Sequence, residues 1–295
     1  MFADEEHGHP FVSFFCTYIC YVLSYAYEIY TEAVVFANLI DDFTARGRSF
    51  FTLKDVQEEL RDSSVIALKA AIGRLHAKGR IAMPHKGFYV VVPPEHRDTG
   101  CLPAEEFIPD LMKHLGEPYY TGLLTAAEYY GAAHQRPQVF QVMVSKTRRQ
   151  IHCGKVRVWF TFRENLSDIP TRTRNTRTGV MRVSTPEATA LDLVGYYRHC
   201  GGLGNVATVL SELVKNIDAE RLIEAAGGSP VAWAQRLGYL LDMLDAKDVA
   251  NRLAEYIIEK NPNRKLLAPW GTIKGAKSSS RWRLLVNTDV EADEV

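Results

Sequence analysis

The order of periodicity and punctuation between Thr31 and Pro94 constrains the fold of this chain most. Thr31 to Gly47 places Ala33, Phe36, Ile40 and Phe43 at i, i+3, i+7 and i+10. That spacing predicts an amphipathic helix closed by Gly47. Thr52, with Asp55 three residues on, is a capping-box variant that opens a short helix with Leu53, Val56 and Leu60 on one face. Arg61-Asp62-Ser63 reads as a turn. Ser64 caps a third helix, Val65 to Lys78, with Leu68, Ile72 and Leu75 inward, and Gly79 ends it. A strand over Arg80–Met83, a turn at Pro84-His85-Lys86-Gly87 and a strand over Phe88–Val92 follow, and Pro93-Pro94 closes the unit. Three helices with a short turn before the third, then a hairpin, is the order of a winged helix-turn-helix.

The third helix gives that order a chemical reading. Opposite its core stripe lie Ala67, Ala70, Gly73, Arg74 and Ala77. Small side chains there let a backbone approach a DNA groove, and Arg74 reaches a base edge or a phosphate. Lys69 and Lys78 flank the face, Ser64 stands at the helix start, Arg80 at the foot of the wing, and His85 and Lys86 at its tip. These seven residues are the candidate contacts to double-stranded DNA in this half of the chain. A protein-docking use of the same fold is the alternative.

His96 to Pro103 reads as a polar linker to a second, mixed α/β domain. Helices are predicted over Ala104–Leu115 and Gly122–Tyr130, and strands over Val139–Val144, Val156–Phe162 and Val180–Val183. Ser184-Thr185-Pro186-Glu187 opens a helix with a cap and an early proline, running to about Cys200 and stopping at Gly201-Gly202. Glu187 is explained by capping. Four more helices are predicted: Asn205–Lys215, Ala219–Ala226, Pro230–Leu244 and Ala246–Glu259. Asp218, Ser229 and Asp245 serve as N-caps. The fold class is α+β: an N-terminal winged helix-turn-helix (31–97), then an α/β domain with a helical C-terminal part (104–270). An apolar extension (1–30) precedes them and a mobile tail (271–295) follows.

Net charge is zero over 295 residues, but the charge is unevenly placed. Before Arg46 there is no Lys or Arg at all. Between Lys146 and Arg182 stand Lys146, Arg148, Arg149, Lys155, Arg157, Arg163, Arg172, Arg174, Arg177 and Arg182, against only Glu164 and Asp168. A basic middle in a neutral chain points to a polyanionic partner. Within it, Thr171–Arg182 alternates Thr and Arg, and Arg172, Arg174 and Arg177 are a second set of candidate nucleic-acid contacts. A solvated strand edge protected by charge reads equally well.

Other chemistries find little purchase. The five cysteines are odd in number and scattered, as in a reducing cytoplasm. Cys16 and Cys20 with His7 and His9 read as one helical face with neighbours rather than a metal site, so no metal and no cofactor is expected. Pro10 to Tyr27 carries no charge. It reads as an extra helix, as translated upstream sequence from a misplaced start codon, or as a membrane anchor. No Glu-x-Lys, P-loop, Rossmann fingerprint or H-E-x-x-H occurs, so no catalytic residue is assigned and an enzyme is not expected.

Three stretches together resemble the AbiEi-type antitoxins of bacterial abortive-infection and toxin-antitoxin systems. They are the wing ending Gly87-Phe88-Tyr89-Val90, then Tyr119-Tyr120-Thr121-Gly122-Leu123-Leu124-Thr125-Ala126-Ala127, and Val183-Ser184-Thr185-Pro186-Glu187-Ala188-Thr189-Ala190-Leu191-Asp192-Leu193. The resemblance runs from about Thr31 to about Trp270 and leaves the first thirty residues outside. It implies a cytoplasmic antitoxin that binds inverted repeats in its own promoter, represses its operon and counteracts a nucleotidyltransferase toxin, with or without a stable complex. A stand-alone regulator or docking module is the alternative, and a nuclease the remaining one.

Overall fold

The computed structural model describes residues 34–132 and 137–291. The apolar stretch Pro10–Tyr27, with Cys16 and Cys20, lies outside them. The chain divides into two compact units, with the boundary between Leu102 and Pro103.

In the first unit, helix α1 covers residues 34–45 and buries Phe36, Leu39, Ile40 and Phe43. Strand β1 (Phe50–Thr52) leads into α2 (Leu53–Glu59), then α3 (Val65–Ala77), β2 (Ile81–His85) and β3 (Phe88–Val91). Thr52 and Asp55 form the reciprocal capping box, and Ser64 Oγ accepts from Ala67 N at 3.1 Å. The strands form one antiparallel sheet in the order β1-β3-β2. Within this unit, strand β1 is not among the expected elements. Its three residues are too few to show an alternation, yet Phe50 stacks on Phe88 and Phe51 on Tyr89, which ties β1 to the wing. The expected turn at Pro84-His85 is instead strand: β2 runs on to His85 across an irregularity between Ala82 and His85. Edge position and irregular register are where a strand tolerates proline.

The second unit opens with α4 (Ala104–Leu115). A six-stranded mixed sheet follows, in the order β6-β7-β5-β4-β9-β8. Its strands are β4 (Tyr119–Thr121), β5 (Phe140–Val144), β6 (Ile151–Cys153), β7 (Val156–Phe162), β8 (Thr171–Thr176) and β9 (Gly179–Ser184). The β5–β7 and β4–β9 pairs are parallel and the rest antiparallel. Helices α5 (Leu123–Tyr129), α6 (Pro186–Gly195), α7 (Gly202–Leu213), α8 (Ala219–Gly227), α9 (Val231–Met243) and α10 (Lys247–Lys260) complete the unit. Helix α6 is its centre, with every residue from Pro186 to Val194 buried. Such a helix shows no amphipathic stripe, because it has no solvent face to mark.

Several local expectations need correction. Helix α6 stops at Gly195 and gives way to a 3-10 turn over Tyr197–Cys200. Thr185, rather than Glu187, caps it, while Glu187 is buried and accepts the backbone N–H of Asp218 at 3.1 Å. Ser229 and Asp245 are not N-caps: Ser229 Oγ accepts from Arg163, and Asp245 is left-handed at φ 55°. The segment after Gly271, expected to be a mobile tail, is built into the fold. Strands β10 (Lys265–Leu266), β11 (Lys277–Ser279) and β12 (Leu284–Val286) form a small sheet in the order β10-β12-β11. Trp282 is buried against α9, and Gln235 Nε2 reaches the carbonyls of Asn263, Trp282 and Arg283. Trp282 and Leu284 are the apolar anchors among the surrounding Ser, Lys and Arg.

Candidate nucleic-acid interface

Helix α3 buries Leu68, Ala71, Ile72 and Leu75. At 100° per residue, the opposite side carries Ile66, Lys69, Ala70, Gly73 and Ala77, with Arg74 at its margin. All but Arg74 are exposed, and Arg74 is half-buried. Ala67, expected on this face, is half-buried at its edge; Ile66 takes the outward place at 83% exposure. Ile66 was missed because it sits beside Val65 at the start of an apolar pattern. A Cβ built on Gly73 would meet nothing within 4 Å, so neither packing nor backbone angle inside this unit calls for glycine there.

Among the described residues Lys69, Arg74, Lys78 and Lys86 make no ion pair, and Arg74 Nε has no hydrogen-bond partner. Lys69, Lys78 and Lys86 are exposed. Arg80 differs: its Nη2 is held by Asp41 of α1. His85 is half-buried at the end of β2. Ser64 spends its hydroxyl on the cap. The unit thus offers four uncommitted cations around a small-residue face with an exposed isoleucine.

The second basic set falls on β8, an edge strand exposed over most of its length. Arg172 pairs in register with Val183 and Arg174 with Met181, so both point to one face. Arg174 lies over the Tyr129 ring, 4.2 Å from its centroid, and the Tyr129 hydroxyl donates to Glu105 at 2.8 Å. Arg177, in the β8–β9 turn, is committed to α4. Its Nη2 is 2.7 Å from Glu106 Oε2, and its Nε lies 3.2 Å from each Glu106 oxygen. Arg172 is exposed and, among the described residues, makes no ion pair or hydrogen bond with its side chain. The structure therefore separates the three arginines that the sequence groups together.

Behind the sheet lies a buried polar network. Tyr120 donates to Asp192 Oδ2 at 2.6 Å, and Arg163 Nε is 3.2 Å from Asp192 Oδ1. Arg163 also donates to Gly228 O and Ser229 Oγ, and sits 4.5 Å above the Trp233 ring. Burial pushes the Asp192 carboxyl up to about 6, against the pull of Arg163 and the Tyr120 hydroxyl. Burial and the neighbouring Asp192 push the Tyr120 phenol well above its ordinary range. Asp192 is 0% exposed, and the cluster ties α6 and β4 to the residue that follows β7. The sequence signal for it was the recurrence of Tyr120 and Asp192 in two of the three characteristic stretches.

Residues 120–243 match the model of the AbiEi antitoxin C-terminal domain. That stretch of the second unit is similar to the AbiEi antitoxin C-terminal domain. The match opens at Tyr120 and contains Arg163 and Asp192, so the buried network lies wholly within the AbiEi-type region. No curated protein matches the sequence. Among solved structures the chain is similar to the RV2827C protein from Mycobacterium tuberculosis, with a TM-score of 0.62 at 15% identity. That similarity covers 84% of this chain and 90% of the other, and it concerns the fold. The AbiEi-type match supports an antitoxin role in a toxin-antitoxin system. Among the described residues there is no group of His, Cys, Asp and Glu that would hold a metal, and no helix long and apolar enough to cross a membrane.

Proposed function

We propose that this chain is a cytoplasmic antitoxin that represses its own operon by binding double-stranded promoter DNA and counteracts a nucleotidyltransferase toxin. The DNA claim rests chiefly on the outer face of α3. A glycine in a helix interior costs about 1 kcal/mol relative to alanine. Gly73 carries that cost with open space around it, beside Ala70, Ala77, Lys69 and Arg74. A surface partner that approaches the helix backbone closely and carries negative charge accounts for that combination, and a duplex groove is such a partner. Lys69, Arg74, Lys78, Lys86 and Arg172 are proposed as the phosphate-facing cations. Ile66 is positioned for apolar contact such as a thymine methyl. Ser64, Arg80 and His85 are proposed to shape the helix start and the wing. Arg174 and Arg177 are proposed to hold β8 against α5 and α4.

The antitoxin claim rests on the AbiEi-type region. Its test is co-expression with a neighbouring nucleotidyltransferase-like gene, together with a promoter-reporter fusion. Rescue of growth with repression of the reporter is expected. Rescue without repression would leave an antitoxin that is not a repressor. Repression without rescue would favour the stand-alone regulator.

A further inference from the structure

From Lys260 to Thr288 the chain carries Lys260, Arg264, Lys265, Lys274, Lys277, Arg281 and Arg283, and no Asp or Glu. Arg281 is 3.3 Å from Asp242, and Arg283 donates to Pro262 O. Arg264, Lys265, Lys274 and Lys277 are exposed and, among the described residues, unpaired. Trp270, in the middle of this run, is 79% exposed and Ile273 63% exposed. The other tryptophans differ: Trp282 is buried, and Trp159 and Trp233 are half-buried.

The tryptophan sits in a hydrogen-bonded turn. Asn287 brackets Ala268, accepting its N–H at 2.9 Å and donating to its carbonyl at 2.9 Å. Gly271 N closes the turn on Ala268 O at 3.0 Å, and a Cβ on Gly271 would lie 2.5 Å from Asn287 Nδ2. Arg198, exposed within the 3-10 turn, stands 5.9 Å from the Trp270 ring centroid. Thr272, Ser278 and Ser280 add exposed hydroxyls.

We infer that the surface around Trp270 binds single-stranded nucleic acid, with the indole stacking on an unpaired base and Arg198, Arg264, Lys265, Lys274 and Lys277 tracking the phosphates. An exposed aromatic ring on a hydrogen-bonded turn among unpaired cations is the arrangement that binds single strands without sequence preference. A duplex keeps its base faces stacked and does not present them to a ring. An anionic lipid surface would use the same charges, but two apolar side chains among hydroxyls give it little to bury. Apart from Arg198, the surface lies outside the residues that match the AbiEi-type domain, and it is independent of the promoter-binding reading.

The test uses the full chain and fluorescence anisotropy of labelled twelve-nucleotide oligo(U) and oligo(dT). Binding is expected, with affinity falling as salt rises. Trp270→Ala should weaken it about five- to a hundredfold, Trp270→Phe much less, and Lys274→Gln with Lys277→Gln should flatten the salt dependence. These residues are exposed, and an unchanged thermal midpoint will confirm that the variants fold. Retention on promoter duplex by Trp270→Ala separates this site from the winged-helix face. Absence of oligo binding, equal binding by Trp270→Ala, or preference for phosphatidylserine vesicles over the oligonucleotides would overturn the inference.

Discussion

Arg177 lays its guanidinium across Glu106, with Nη2 2.7 Å from Oε2 and Nε 3.2 Å from both carboxylate oxygens. Thr178 reinforces the link by donating to Glu106 O at 2.6 Å. The pair fastens the β8–β9 turn to the first turn of α4, and it separates Arg177 from Arg172, five residues earlier on the same basic segment. The two arginines therefore make different predictions. Arg172→Ala should leave the thermal midpoint unchanged and make the salt slope of DNA binding shallower by about 0.9. Arg177→Ala should lower the midpoint, because it removes a charged hydrogen-bonding partner from a carboxylate that is almost fully buried. Identical effects of the two substitutions would show that the Glu106 contact does not set their roles.

Gly73→Ala separates stability from binding. Its Cβ enters open space, so the free chain should gain about 0.5–1 kcal/mol of stability from helix propensity alone. The same methyl should weaken promoter binding by holding the helix backbone away from the groove. Urea titration and anisotropy on one preparation read both effects. Stabilisation with unchanged affinity would remove α3 from the interface.

Asp192 gives a pH signature. Its carboxyl is raised from an ordinary 3.8 to about 6, so the folded chain holds this proton more tightly than the unfolded chain does. The stability from that proton is present below about pH 4 and is lost as pH rises through about 6. Relative to Asp192→Asn, the unsubstituted chain should therefore lose on the order of 2 kcal/mol between pH 4 and pH 7. Urea midpoints of both chains at the two pH values measure it, and a flat or rising difference would contradict the assignment.

Gly238 and Trp282 test the closing strap. A Cβ on Gly238 would come 2.0 Å from Trp282 Cζ3, and the indole donates to Asp242 at 2.6 Å. Gly238→Ala should cost about 1–3 kcal/mol through overpacking, and Trp282→Ala about 3–5 kcal/mol through the cavity. Loss of less than about 0.5 kcal/mol in Trp282→Ala, the range of ordinary surface substitutions, would return the C-terminal segment to the status of a tail.

Much of this architecture is legible in the residues, for reasons that differ by element. The caps at Thr52, Ser64, Thr185 and Asp218 are local hydrogen-bond chemistry, and the structure carries each of them. Strands β1 and β4 are three residues long and owe their existence to distant partners, β3 for the first and β5 and β9 for the second. The committed state of Arg80 and Arg177 was hidden for the same reason: Asp41 and Glu106 are 39 and 71 residues away. Ser229 looked like a cap because its partner, Arg163, is 66 residues off. Charge composition located the basic segment, but only the fold tells which of its cations remain uncommitted.

The chain is proposed to bind the operon's own promoter through phosphates and shape, with four cations on the winged-helix unit and Arg172 as the fifth. Anisotropy of a labelled promoter duplex against the full chain, over a range of salt, tests it most directly. Five cations at phosphates predict that log affinity falls against log salt with a slope of about −4.5. Lys69→Ala with Lys86→Ala should bring it to about −2.7. No detectable binding, or a slope near zero, would contradict the account.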